Sequence, residues 1–111
     1  RKGIQPKTLE AISDLVDIIE AFNGRALFQN RGPLAVRWAR LNSKSIAASS
    51  DAHGKSGLGL TYSIIESQPN SKNLVAQLGL ARFNFRRPSP LDLIYPKANR
   101  LKKKLGRKAD A

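Results

Sequence analysis

The chain has 111 residues, 41% of them apolar, and a formal net charge of +12, which bounds it to about one domain with a modest core and an attraction to anions: phosphate esters, nucleic acid or acidic membranes. It has no cysteine, which excludes disulfides and thiolate chemistry and fits a reducing, cytoplasmic compartment. No run of about 18 apolar residues exists, so no transmembrane helix is expected, and no secretion signal is readable at the front.

The chain opens Arg1-Lys2-Gly3 and contains no methionine, which suggests a piece of something longer. Pro6 suits a first helical turn, and Leu9, Ile12 and Val16 recur at helical spacing, predicting a short helix over Lys7 to Leu15. Asp17-Ile-Ile-Glu-Ala-Phe22 reads as a buried strand, closed by the turn signal Asn23-Gly24-Arg25. Gly32-Pro33 opens a second helix, with Leu34, Trp38 and Leu41 on one face, so that Trp38 is expected in the core. Asn42-Ser43 ends it, and a second strand runs through Ile46, Ala47 and Ala48 toward Asp51.

This order of helix, strand, helix, strand predicts an α/β fold with a parallel sheet and crossover helices. Functional groups gather at the C-terminal ends of strands in barrels of this class. Asn23-Gly-Arg25 and Asp51-Ala-His53 both fall there, on one rim. If Asp51 to His53 stays extended, the carboxylate and the imidazole project to the same side. His53 is the single histidine, so a transition-metal site, if the chain has one, centres here. Arg25 at the other strand exit is a candidate fork for a phosphate, with Asn23 beside it.

Gly54, Gly57 and Gly59 make the next loop able to approach a ligand closely. Leu60 to Ile65 reads as a strand and Gln68-Pro-Asn70 as a turn. Ser71 is the expected cap of a two-turn helix through Leu74, Val75 and Leu78, ended by Gly79. Leu80 to Phe85 alternates weakly and predicts a short edge strand. Arg86-Arg87-Pro88-Ser89-Pro90 reads as a linker. From Arg82 to Ala111 ten basic residues face two acidic ones, +8 of the chain's +12. There, Leu91, Ile94, Tyr95, Ala98, Leu101 and Leu105 share a helical face, and Pro96 must kink or restart the helix. That basic helix reads as a solvated face, a nucleic-acid contact or a membrane-surface helix. No aromatic RNA-binding signature accompanies it.

Other chemistries are excluded by spacing. The glycine loop with Lys55 lacks the G-x-x-x-x-G-K-[ST] pattern of a nucleotide P-loop. The histidine lies too close to Asp51 in sequence for a Ser-His-Asp relay. A catalytic metal centre needs at least about three protein ligands. Glu10 and Asp14 lie on a predicted helix, Asp17 heads a strand far from its exit, Glu66 ends another strand, and Asp92 and Asp110 sit in the tail. Asp51 and His53 would therefore be the last two ligands of a larger set.

With Ile18-Ile-Glu-Ala-Phe-Asn-Gly-Arg25, Ala48-Ser-Ser-Asp-Ala-His53 and Arg87-Pro-Ser-Pro-Leu91 in order, the chain resembles the C-terminal part of a PHP-family protein, one of the polymerase and histidinol phosphatase family of metal-dependent phosphoesterases. The resemblance implies the C-terminal portion of a distorted (β/α) barrel over residues 1–87, followed by a basic amphipathic helical tail over 88–111. It implies divalent metal ions, two or three per complete site, of manganese, iron or zinc, with Asp51 and His53 as metal ligands. Arg25 and Asn23 would bind the phosphate-ester substrate. The family's opening His-x-His motif has no counterpart here, so the missing N-terminal part of the same barrel would be the partner, and the isolated piece is expected to be inactive. The alternative is a non-catalytic basic module that binds nucleic acid through its C-terminal tail.

Overall fold

The computed structural model describes residues 3–26, 31–87, 89 and 95–109. It opens with α1 (Pro6–Ala11), whose first turn accepts Pro6 because no backbone donor is needed there. The single helix expected over Lys7 to Leu15 is interrupted at Ile12 and resumes as a 3-10 turn over Ser13–Leu15. Strand β1 (Ile18–Asn23) and strand β2 (Ser45–Ser49) then pair in parallel, with Ile18 opposite Ser45 and Asn23 opposite Ser49. A parallel pair needs a long crossover, and α2 (Gly32–Leu41) lies within it.

The helix turns a different face to the sheet from the one its large residues suggest. Gly32 and Ala39 are buried, with Ala35 and Val36 half-buried between them, whereas Leu34 is 67% exposed and Leu41 76% exposed. Trp38 is half-buried, not a core residue, and its Nε1 donates to Glu10 Oε1 at 2.9 Å. The physical reason is distance of approach. Helix α2 packs on β1, where Ala21 is also buried, and short side chains let helix and sheet close up.

Strands β3 (Thr61–Ile64) and β4 (Arg82–Phe85) form an antiparallel pair, Thr61 opposite Phe85 and Ile64 opposite Arg82. The described strands thus make a small α/β fold with two open two-stranded sheets, not a closed barrel. Two contacts join the sheets. The Phe22 ring lies 5.5 Å from that of Phe83 and 5.9 Å from that of Phe85, alternate residues that share one face of β4. On the other side of β2, Ser63 Oγ accepts from Ala48 N at 2.9 Å and donates to Ala48 O at 3.3 Å, taking the place of a neighbouring strand's backbone.

Between β3 and β4 runs α3 (Leu74–Gly79), tied to the first sheet by Ser45 Oγ donating to Val75 O at 2.7 Å. Ser71 does not cap it. Instead Asn70 Oδ1 accepts from Lys72 N and Asn73 N, an Asx turn that uses the approach to the helix for itself. Among the described residues the buried apolar ones are Ala21, Ala39, Ala48 and Leu78, and buried Thr61 donates to Arg86 O at 2.7 Å.

The last element described, α4 (Tyr95–Ala109), has Pro96 in its first turn. Leu91 and Ile94 of the expected apolar face, like Pro88 and Pro90, lie outside the described residues. Among the described residues no helix is long and apolar enough to cross a membrane.

Removing the hydroxyl that bridges the sheets tests how much that bridge holds. Ser63→Ala leaves the Ala48 N–H without its partner and is expected to cost about 1–3 kcal/mol, read from the urea midpoint. An unchanged midpoint would show that the hydroxyl carries none of the connection between the sheets.

Candidate functional site

The site is built where β1 and β2 end, side by side and pointing the same way. Gly24 makes that closeness feasible. Its N donates to Ser49 O at 2.9 Å, and a Cβ there would meet Ser50 O at 2.9 Å and Thr61 Oγ1 at 3.1 Å.

In the β1–β2 register, Glu20 opposes Ala47 and Phe22 opposes Ala48, so Ala21 is bulged out of the pairing. In a regular strand, residues three apart face opposite sides. The bulge changes that parity, and Glu20 and Asn23 come to one side. Asn23 Nδ2 donates to Glu20 Oε2 at 3.2 Å and to Asp51 Oδ2 at 3.3 Å, and Asn23 Oδ1 accepts from Arg25 N at 2.9 Å. Ser49 Oγ, on the paired strand end, donates to Glu20 Oε1.

Asp51 departs from the extended conformation expected of it: φ is +48°, in the left-handed region that aspartate tolerates better than most residues. The two side chains still converge, by a turn and not by strand alternation. His53 Nδ1 lies 2.8 Å from Asp51 O and 3.8 Å from Asp51 Oδ1. The carbonyl has no proton to give, so Nδ1 carries the hydrogen and Nε2 the lone pair. Arg25 Nη1 lies 3.1 Å from Nε2 and 2.9 Å from Nδ1, so the guanidinium sits close against the imidazole ring. Arg25 Nε is buried and has no hydrogen-bond partner among the described residues. The imidazole is 37% exposed on its side chain, at the surface and not packed in apolar residues.

The structure thus brings together all four residues expected at the rim: Asn23, Arg25, Asp51 and His53. It adds Glu20, which strand alternation alone directs elsewhere, and Ser49, the register partner of Asn23. Asn23 uses both amide hydrogens on carboxylates, so here it holds its neighbours in place. The glycine loop folds back on itself. Lys55–Gly57 forms a 3-10 turn, and a Cβ on buried Gly57 would lie 3.2 Å from Ala52 Cβ.

As a metal site the cluster supplies two of the expected donors, Asp51 and His53. Among the described residues no group of three or more histidine, cysteine or carboxylate side chains is placed to hold an ion. The Arg25 guanidinium lies 3.1 Å from Nε2, so an ion at that atom requires this cation to turn away. The donors are of the right type, and their number is short of a complete set.

No family model, curated protein or solved structure matches the chain.

Asn23→Ala removes the donor shared by the two carboxylates. The amide resonances of Glu20, Arg25 and Asp51 are expected to shift together in a 1H–15N spectrum; shifts confined to residues 22–24 would show that the amide couples nothing. Gly24→Ala forces a methyl against the Ser50 carbonyl and should lower stability by about 1–3 kcal/mol, measured by denaturant unfolding.

Proposed function

We propose that this chain is the C-terminal part of a metal-dependent phosphoesterase of the PHP type, with Asp51 and His53 supplying two of its metal ligands. The supporting observation is the convergence of a carboxylate and an imidazole from one strand end, beside an arginine from the neighbouring parallel strand end. Bound divalent ions supply a nucleophilic water at neutral pH and polarise the phosphoryl oxygens.

The chain's own residues have definite parts in this reading. Asp51 presents Oδ1, while Oδ2 is steadied by Asn23. The hydrogen bond from His53 Nδ1 to Asp51 O fixes the tautomer that leaves Nε2 as a donor atom for an ion, the way such histidines are oriented in metal sites generally. Arg25 has one guanidinium nitrogen on the imidazole and another without a partner, and a phosphate ester offers oxygens to satisfy both. The parallel β1–β2 pair with its crossover helix is the kind of unit a (β/α) barrel repeats, whereas the antiparallel β3–β4 pair departs from that pattern. The missing ligands belong to the barrel's remaining strands, so the 111-residue piece on its own is inactive.

The experiment is manganese-dependent hydrolysis of phosphomonoesters and phosphodiesters by the full-length protein and by its Asp51→Ala and His53→Ala forms. Each change is expected to lower turnover by at least about 10²-fold, since loss of an outer-sphere partner alone costs 10–100-fold in metal sites. Manganese binding, followed by calorimetry, should weaken in parallel. Full activity in both variants sinks the reading, and so does vigorous turnover by the isolated piece.

A further inference from the structure

Helix α4 carries a second surface, on residues remote in sequence from the rim. Its described side chains, Arg100 to Arg107, are all exposed. Arg100, Lys103, Lys104 and Arg107 recur at helical spacing and form one cationic face about 10 Å long, while Leu101 and Leu105 lie on another. Both leucines are 59% exposed. A charged helix whose basic side is merely solvated packs its apolar side on the body of the protein. Residues 100–107 do not pack that way.

An isolated helix of 15 residues is marginal in water. This one is further strained by like charges three and four residues apart, each pair costing a few tenths of a kcal/mol, and by Gly106 in its interior. No acidic side chain occurs between Tyr95 and Ala109 to offset the repulsion. A polyanion laid along the cationic face relieves it, and releases counterions besides.

The chemistry of the face selects among polyanions. An interfacial membrane helix buries a broad apolar side with aromatic or leucine anchors. Over Tyr95–Ala109 the helix offers one aromatic residue, Tyr95, and two leucines against seven lysines and arginines, so its sequence is more cationic than apolar. Single-stranded nucleic acid is held by stacking bases on aromatic side chains, which this face lacks. A phosphate backbone asks for spaced cations alone, and a helix fits the major groove of a duplex. We propose that α4 binds double-stranded nucleic acid through Arg100, Lys103, Lys104 and Arg107, without sequence preference. This inference goes beyond the phosphoesterase reading and needs neither Asp51 nor His53.

The test is fluorescence anisotropy of a labelled 20-base-pair DNA duplex with the full chain, titrated in salt. Four phosphate contacts predict a slope of log K against log salt of about −3.6, or a loss of roughly 10²-fold in affinity between 50 and 200 mM salt. The fourfold change Arg100→Gln, Lys103→Gln, Lys104→Gln, Arg107→Gln should remove that slope, with circular dichroism verifying that helix content is kept. The change Leu101→Gln, Leu105→Gln should leave duplex binding as it was. A His53→Ala form should bind the duplex normally, which separates this inference from the metal site. Duplex affinity undiminished in the fourfold variant would overturn the proposal. Absence of duplex binding, together with leucine-dependent binding to phosphatidylglycerol vesicles, would replace it with a membrane contact.

Discussion

The geometry of the rim rests on one irregularity in a strand. Because Ala21 is bulged out of the β1–β2 pairing, Glu20 and Asn23 share a side, and Asn23 can reach two carboxylates with one amide group. A regular strand would send Glu20 to the opposite face and leave Asn23 to hold Asp51 alone. Asn23 also accepts from the Arg25 backbone, which sets the start of the chain that carries the guanidinium to His53. Bulges re-aim side chains at strand ends without disturbing the pairing on either side. Here the pairing closes again at once, with Phe22 opposite Ala48, and the ring of Phe22 is left to pack on β4.

Much of the order of elements was legible in the sequence, and the reasons differ from segment to segment. Strand β1 follows from its β-branched and aromatic run and from Asn23-Gly24, a turn signal that also answers the close approach of Ser50. The meeting of Asn23 and Arg25 with Asp51 and His53 follows from parallel pairing, which places both strand ends together. The inward face of α2 was not legible. Periodicity finds a stripe of large residues in Leu34, Trp38 and Leu41, but a helix lying close on a sheet is admitted by small ones, and Gly32 and Ala39 win. Glu20 was missed for a related reason: no glycine or proline marks the bulge that turns it toward the site. The left-handed turn at Asp51 is equally local, and a hydrogen bond to its own carbonyl achieves what strand alternation was expected to do.

The interior formed by the described residues is built of small side chains: three of its four buried apolar residues are alanines. Parallel sheets are ordinarily covered on both faces. Here α2 covers β1, while Leu34 and Leu41 on its far side, Leu15 beyond α1, and Leu80 after α3 remain open. Phe22 and the Ser63 hydroxyl consequently carry more of the connection between the sheets than such contacts would in a fold with a larger core.

Charge is segregated along the chain in a way that assigns opposite preferences to its two ends. The thirty residues from Arg82 onward hold +8 of the net +12, leaving +4 for the 81 residues before them. Within that first part the rim collects carboxylates, with Glu20 and Asp51 in one hydrogen-bonded group and Arg25 as the cation joined to it. The overall positive charge therefore says little about the rim, where two acids against one base favour a cation. It describes α4, where cations recur with no acid among them. The cations that would attract an anion and the carboxylate proposed to hold a metal ion thus lie on different elements, α4 and the strand ends.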